Sequence, residues 1–136
     1  MQKANGAVER RYIGMEREDY LQAIHELEKA DGEARISALA DMLAVKKPSV
    51  SQMVNRLEKQ GYLKHEPYGG LRLTGKGAAA AKAVIERREA LTEFFTTLGI
   101  AKKIQEKDVH GLEHCLSPIT LKKLRTATKL LQDIKK

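Results

Sequence analysis

The chain has 136 residues, 42% of them hydrophobic, and a formal net charge of +7, so it has material for one compact unit or two small ones and a bias toward a polyanionic partner. No apolar run reaches the roughly 20 residues of a membrane-spanning helix, and the polar start MQKANGAVERR lacks a signal-peptide core. One cysteine, Cys115, excludes an internal disulfide framework and agrees with a reducing compartment, so a cytoplasmic protein with no membrane partner is expected.

Residues 1–15 are polar and show no period, which predicts a flexible arm, with contact of Arg10 and Arg11 to phosphate as the lesser alternative to a loose tail. From about Glu16 to Ala30, Tyr20, Ile24 and Leu27 recur at helical spacing, and Asp31-Gly32 ends the helix. Two short amphipathic segments follow. Ile36, Leu39, Ala40 and Leu43 form the apolar stripe of the first, and Val45 closes it. Pro48, pre-set for a first helical turn, opens the second, which repeats Val50, Val54 and Leu57. The opposite face of this second helix is Ser49, Ser51, Gln52, Asn55, Arg56 and Lys59. Short donors and acceptors near the helix start and cations further along are what a recognition helix needs to meet base edges and phosphates together. A helix-turn-helix is the reading; an ordinary helical hairpin with a solvated polar face is the alternative.

Gly61–Glu66 and Leu71–Thr74 are short strand-like runs around the turn-rich tip Pro67-Tyr68-Gly69-Gly70. A hairpin after a recognition helix is a wing, and its Lys64 and Arg72 suit backbone phosphate. Lys46, Lys47, Pro48, Ser49, Ser51, Gln52, Arg56 and Arg72 are therefore the expected contacts to double-stranded DNA. Of these, Gln52 and Ser51 are placed at base edges and the cations at phosphates. Residues 16–75 make up the expected winged DNA-binding domain.

Thr74 reads as the N-cap of a long helix running to about Leu98, where Gly99 stops it, with Ala80, Ala83, Val84, Leu91, Phe94, Phe95 and Leu98 as the stripe to be buried. A shorter helix is expected over Ala101–Cys115. Ser117-Pro118 then supplies an N-cap and first-turn proline for a last helix through Leu121, Leu124, Leu130 and Ile134. So small a chain has little core with which to cover the long stripe, which predicts dimerisation through residues 76–136; the alternative is that the last two helices cover it within one chain. A two-fold dimer matches an operator with two half-sites. The fold class expected is mainly α.

In His110-Gly-Leu-Glu113-His114-Cys115, the first His, the Glu and the second His stand at i, i+3 and i+4 and project from one helix face. Imidazole with carboxylate suits a first-row divalent ion such as Mn²⁺, Fe²⁺, Co²⁺ or Zn²⁺. The same His-x-x-Glu-His spacing matches the inverted zinc-peptidase signature, with the Glu as general base. That enzyme reading needs a further ligand downstream, and beyond His114 the only acid is Asp133, in a lysine-rich tail.

The order helix, helix-turn-helix, wing, long helix and His/Glu cluster resembles the diphtheria-toxin-repressor and manganese-transport-regulator (DtxR/MntR) family of metal-dependent repressors over roughly Glu16–Lys136. The matching pieces are Asp19-Tyr20-Leu21-Gln22-Ala23-Ile24-His25-Glu26-Leu27, Pro48-Ser49-Val50-Ser51-Gln52, Tyr68-Gly69-Gly70-Leu71 with Leu73-Thr74 and Gly77, and Gly111-Leu112-Glu113-His114 with Leu116-Ser117. The chain also ends where the shorter manganese-type members end. The resemblance implies a repressor of metal-homeostasis genes in which Asp19, His110, Glu113 and His114 hold the ion, with Cys115 adjoining, and in which metal favours the DNA-competent geometry. It also implies that Pro48 offers apolar contact to a thymine methyl.

Three ligand positions depart from the family pattern. Gln22 and Arg88 stand where the manganese-type members carry an acid and a His, and His110 stands where they carry an acid. A guanidinium cannot ligate a cation, so one ion per chain is expected, and the less anionic donor set shifts the plausible ion from Mn²⁺ toward Fe²⁺, Co²⁺ or Zn²⁺. Arg88 either sets its charge beside Glu113 in place of a second ion or points to solvent. A winged-helix regulator that has lost metal control, or a small zinc hydrolase, are the alternatives to a metal-responsive regulator.

Overall fold

The computed structural model describes residues 2–136, with side chains from residue 16 onward. The side chains of the expected arm over residues 1–15, Arg10 and Arg11 included, lie outside the described ones. Eight elements follow in order: α1 (Gln2–Asp31), α2 (Ile36–Leu43), α3 (Lys47–Lys59), β1 (Leu63–His65), β2 (Leu71–Leu73), α4 (Gly75–Thr97), α5 (Lys102–Leu112) and α6 (Pro118–Lys135). The chain is mainly helical, as expected, and α1 begins at Gln2 rather than near Glu16. Two compact units divide within α4, one ending at Lys82 and the other covering Ala83–Lys136.

In the first unit the apolar positions picked by period line one core. Tyr20, Leu21, Ile24 and Leu27 of α1, Leu39 and Ala40 of α2, and Val50, Met53, Val54 and Leu57 of α3 are all buried. Each large side chain so buried contributes about 1.5–3 kcal/mol of transfer free energy. The turn between α2 and α3 is a Schellman stop: Ala44 takes φ 55, its N–H donates to the Asp41 carbonyl, and the Val45 N–H donates to the Ala40 carbonyl. Lys46 then caps α3 in extended conformation, with Pro48 in the first turn, where its missing N–H costs nothing. Both helices of the motif are fixed by their ends as well as by their stripes.

The wing is an antiparallel pair in the register Leu63↔Leu73, Lys64↔Arg72 and His65↔Leu71, shorter than the runs read from sequence because Gly61, at φ 85, belongs to the turn after α3. Ala34 adds an isolated bridge to Leu71 on its other edge. Three carboxylates brace this small sheet through its amides. Glu28 Oε1 accepts from Leu73 N at 2.6 Å, Glu33 Oε2 from Gly70 N at 3.0 Å and Glu58 Oε2 from His65 N at 2.9 Å. Two glycines are demanded by close approach: a Cβ on Gly70 would lie 2.6 Å from the Ala34 carbonyl oxygen, and one on Gly77 1.9 Å from that of Tyr62.

Thr74 caps α4 as expected, its Oγ1 accepting from Gly77 N at 3.2 Å while donating to the Gly61 carbonyl at 2.6 Å. Along α4, Val84 and Leu91 are buried, and Ala80, Ala83, Phe94 and Phe95 are half-buried. Leu98 is a correction. It is 49% exposed because α4 ends at Thr97 and Leu98 falls in the turn that leads to Gly99, at φ 79, off the helical stripe. The helix expected to reach Cys115 also ends early, at Leu112. Ser117 caps α6, accepting from Thr120 N at 3.3 Å, and Pro118 follows it.

Candidate functional site

The His/Glu cluster straddles the C-terminal end of α5 instead of lying inside the helix. Glu113 is the C-cap and keeps helical dihedrals, φ −60 and ψ −23, so the spacing of His110, Glu113 and His114 still delivers three side chains to one place. Their ligand atoms lie within 4.8 Å of one another. Glu113 Oε1 is 3.3 Å from His114 Nε2 and 3.6 Å from His110 Nδ1. A tetrahedral ion with bonds of 2.0–2.1 Å has ligand atoms roughly 3.3 Å apart, so this donor set fits one borderline first-row ion.

The carboxylate itself is fully buried, with a side-chain exposure of 0%, and needs a counter-charge. Arg88 supplies it from α4: Nε lies 2.8 Å from Oε2, and Nη2 lies 3.2 Å from Oε1. Of the two orientations left open by the sequence, the structure has Arg88 against Glu113. Burial pushes the Glu113 carboxyl up, but the hydrogen bonds and charges of His114 and Arg88 outweigh it and hold it below its ordinary value. Arg87, which the sequence reading passed over, donates through Nε to the Glu113 carbonyl at 2.6 Å. Two consecutive arginines thus reach the negative end of α5, one on its last backbone acceptor and one on its buried acid. The adjacent Arg-Arg pair one helix upstream was the only signal available for this, and in sequence it is indistinguishable from a solvated face.

His114 is enclosed, with 1% of its side chain exposed, whereas His110 is 53% exposed. His110 also lines a cleft of about 270 Å³ with Arg88, Thr92, Lys102, Gln105, Glu106 and Val109. Cys115 is exposed and turns its Sγ toward the Gly111 carbonyl at 3.8 Å. In the other unit, Asp19 is partly buried on α1 and Gln22 is buried one turn later.

The second candidate surface is on the first unit. Lys46, Lys47, Pro48, Ser49, Gln52 and Arg56 are exposed along α3 and the turn before it, Ser51 is half-buried, and Arg72 is exposed on β2 beside Lys64 of β1. Opposite this face every apolar residue of the α3 stripe is in the core, so the exposed side is free for a partner. Glu28, Glu33 and Glu58 are spent on wing amides, which leaves cations as the dominant exposed charge on the wing strands. No helix among the described residues is long and apolar enough to cross a membrane.

Comparison with known proteins covers both units. Residues 13–71 match the family model described as iron dependent repressor, N-terminal DNA binding domain, and residues 74–133 match iron dependent repressor, metal binding and dimerisation domain. The chain is 35% identical over 116 residues to the HTH-type transcriptional regulator MntR of Lysinibacillus sphaericus (strain C3-41), covering 85% of this chain and 84% of that one. It is 42% identical over 100 residues to the MntR of Bacillus subtilis (strain 168), covering 74% and 70%. Among solved structures, the manganese regulator SloR superposes with a TM-score of 0.74 at 25% identity over 83% of this chain, which spans 53% of that longer protein.

Proposed function

The chain belongs to the iron-dependent repressor family of metal-responsive, DNA-binding transcriptional regulators that act as dimers, and we propose from that premise that it represses metal-homeostasis genes in the cytoplasm by reading a palindromic operator. The observation that carries this reading is the combination of an exposed polar and cationic face on α3, Ser49, Gln52, Asn55, Arg56 and Lys59, with a His/Glu donor cluster of single-ion geometry at the end of α5. Gln52 and Ser51 read base edges, Pro48 and Ser49 adjoin them, and Lys46, Lys47, Arg56 and Arg72 neutralise phosphates. The winged domain is taken as 16–75 and the helical metal-binding and dimerisation domain as 76–136.

The ion is divalent, manganese or iron by family, and one per chain. His110, Glu113 and His114 would hold it, and we assign Asp19 as a further donor on the strength of the family resemblance. When bound, the ion supplies a positive centre that both imidazoles and the carboxylate share, favouring one of two conformations. The hydrolase alternative is disfavoured by the state of Glu113. A general base needs a pKa near the working pH and reach to a water, whereas this carboxylate is buried, paired with Arg88 and held low.

The test is operator selection from random duplex DNA, followed by titration of protein stripped with chelator and then given Mn²⁺, Fe²⁺ or Zn²⁺. A palindromic consensus bound more tightly with metal is expected. A consensus bound equally well under chelator supports the metal-independent regulator instead, and no consensus at all defeats the assignment to operator DNA.

A further inference from the structure

The same centre shows which of the protein's own groups hold its buried acid. A buried carboxylate cannot remain charged without a cation or several donors beside it. Here the guanidinium of Arg88 already takes Oε2 at 2.8 Å and reaches Oε1 at 3.2 Å, while Oε1 lies 3.6 Å from His110 Nδ1 and 3.3 Å from His114 Nε2. Two guanidinium nitrogens thus engage both carboxylate oxygens, and a metal ion on Oε2 would have to displace the shorter of these contacts. Arg87 adds a donor to the backbone of the same residue, so α4 grips the end of α5 at both the carbonyl and the side chain of Glu113.

We propose that Arg88 is a resident counter-cation which locks α4 to the end of α5 in the metal-free protein and confines the centre to one ion on the Oε1 side. Metal then adjusts a packing that already exists instead of creating it, and the metal dependence of the α4–α5 contact is small. The proposal rests on the metal-centre reading only for its stoichiometry; the lock itself is a claim about the apo protein.

The experiment uses the full chain, chelator-treated, with thermal unfolding and calorimetry. In apo protein Arg88→Gln is expected to lower Tm by about 5 °C or more, with Arg88→Lys, which keeps the charge but loses the fork, in between. Removing both partners, Arg88→Gln with Glu113→Gln, is expected to lower Tm by clearly less than the sum of the two single changes, a coupling that independent packing losses do not produce. Calorimetry with Mn²⁺ and with Zn²⁺ is expected to give one ion per wild-type chain, and Arg88→His is expected to raise that number. An apo Arg88→Gln protein that melts with wild type, or additive losses in the double variant, overturns the lock. Two ions per wild-type chain overturn the confinement. If no ion binds while the coupling persists, the metal-centre reading fails and the lock stands. Should Arg88→Gln not fold, Arg88→Lys carries the same comparison.

Discussion

Ala44 shows how a single residue is held against its preference. It sits at φ 55 in the stop between α2 and α3, where only glycine pays no Cβ penalty. Ala44→Gly is therefore expected to stabilise the protein by about 0.5–1 kcal/mol in urea unfolding; a loss of stability would show that the cost in unfolded-state entropy outweighs the relieved strain. Gly77 is the opposite case. A Cβ there would lie 1.9 Å from the Tyr62 carbonyl oxygen, which is backbone and cannot swing aside. Gly77→Ala is expected to cost about 1–3 kcal/mol, measured the same way, by pushing the start of α4 off the wing. Glu113 brings a pH dependence. Its carboxyl is held below the ordinary 4.5, so its contribution is fully present above that value and is lost as pH falls through the lower folded value. The acid limb of apo stability below about pH 4.5 should accordingly flatten in Glu113→Gln.

Elements were legible in the sequence wherever a local device marks them. The stripe of α3, its opening proline, the Thr74 cap and the Ser117-Pro118 start of α6 are local signals, and the structure has each in place. What the sequence hides is tertiary. The bridge from Ala34 to the wing and the inward turn of Glu28, Glu33 and Glu58 depend on chain segments up to 45 residues apart, and period carries no trace of them. For the candidate site, spacing located His110, Glu113 and His114, but it placed them within a helix that in fact stops at Leu112. It left the direction of Arg88 open, because a pairing over 25 residues has no local signature. At α3 the sharp claim is Gln52. Its side chain is exposed on the face away from Val50, Val54 and Leu57, and Gln52→Ala is expected to cost about 1–3 kcal/mol of discrimination at one base pair. Arg72→Ala should instead weaken all sequences alike and lower the salt slope by about one. Unchanged base preference in the Gln52 variant would remove that residue from the recognition surface.

At the scale of the whole molecule, a single chain leaves apolar side chains that its own fold does not use. In the Ala83–Lys136 unit Ile104, Leu112, Ile119, Leu130 and Ile134 are each more than two-fifths exposed, and Thr128 is the only residue of α6 that is buried. On the stripe of α4 Val84 and Leu91 are buried and Ala80, Ala83, Phe94 and Phe95 half-buried, so within the 76–136 span expected to dimerise the most exposed apolar side chains lie on α5 and α6. A two-fold interface uses every such side chain twice, and burial of each is worth about 1.5–3 kcal/mol. Leu130 and Ile134, 61% and 79% exposed and one turn apart on α6, are the pair best placed to test this. The wild-type chain is expected to run as a dimer by light scattering without DNA or metal. Leu130→Glu with Ile134→Glu is expected to run as a monomer with unchanged helix content by circular dichroism, since neither side chain belongs to the core. Loss of the dimer should then abolish tight operator binding while leaving weak, salt-sensitive binding to any duplex, because each winged unit keeps its own recognition face but can no longer engage two half-sites at once. A variant that stays dimeric would assign the interface to the remaining exposed residues of α5 or to the end of α4.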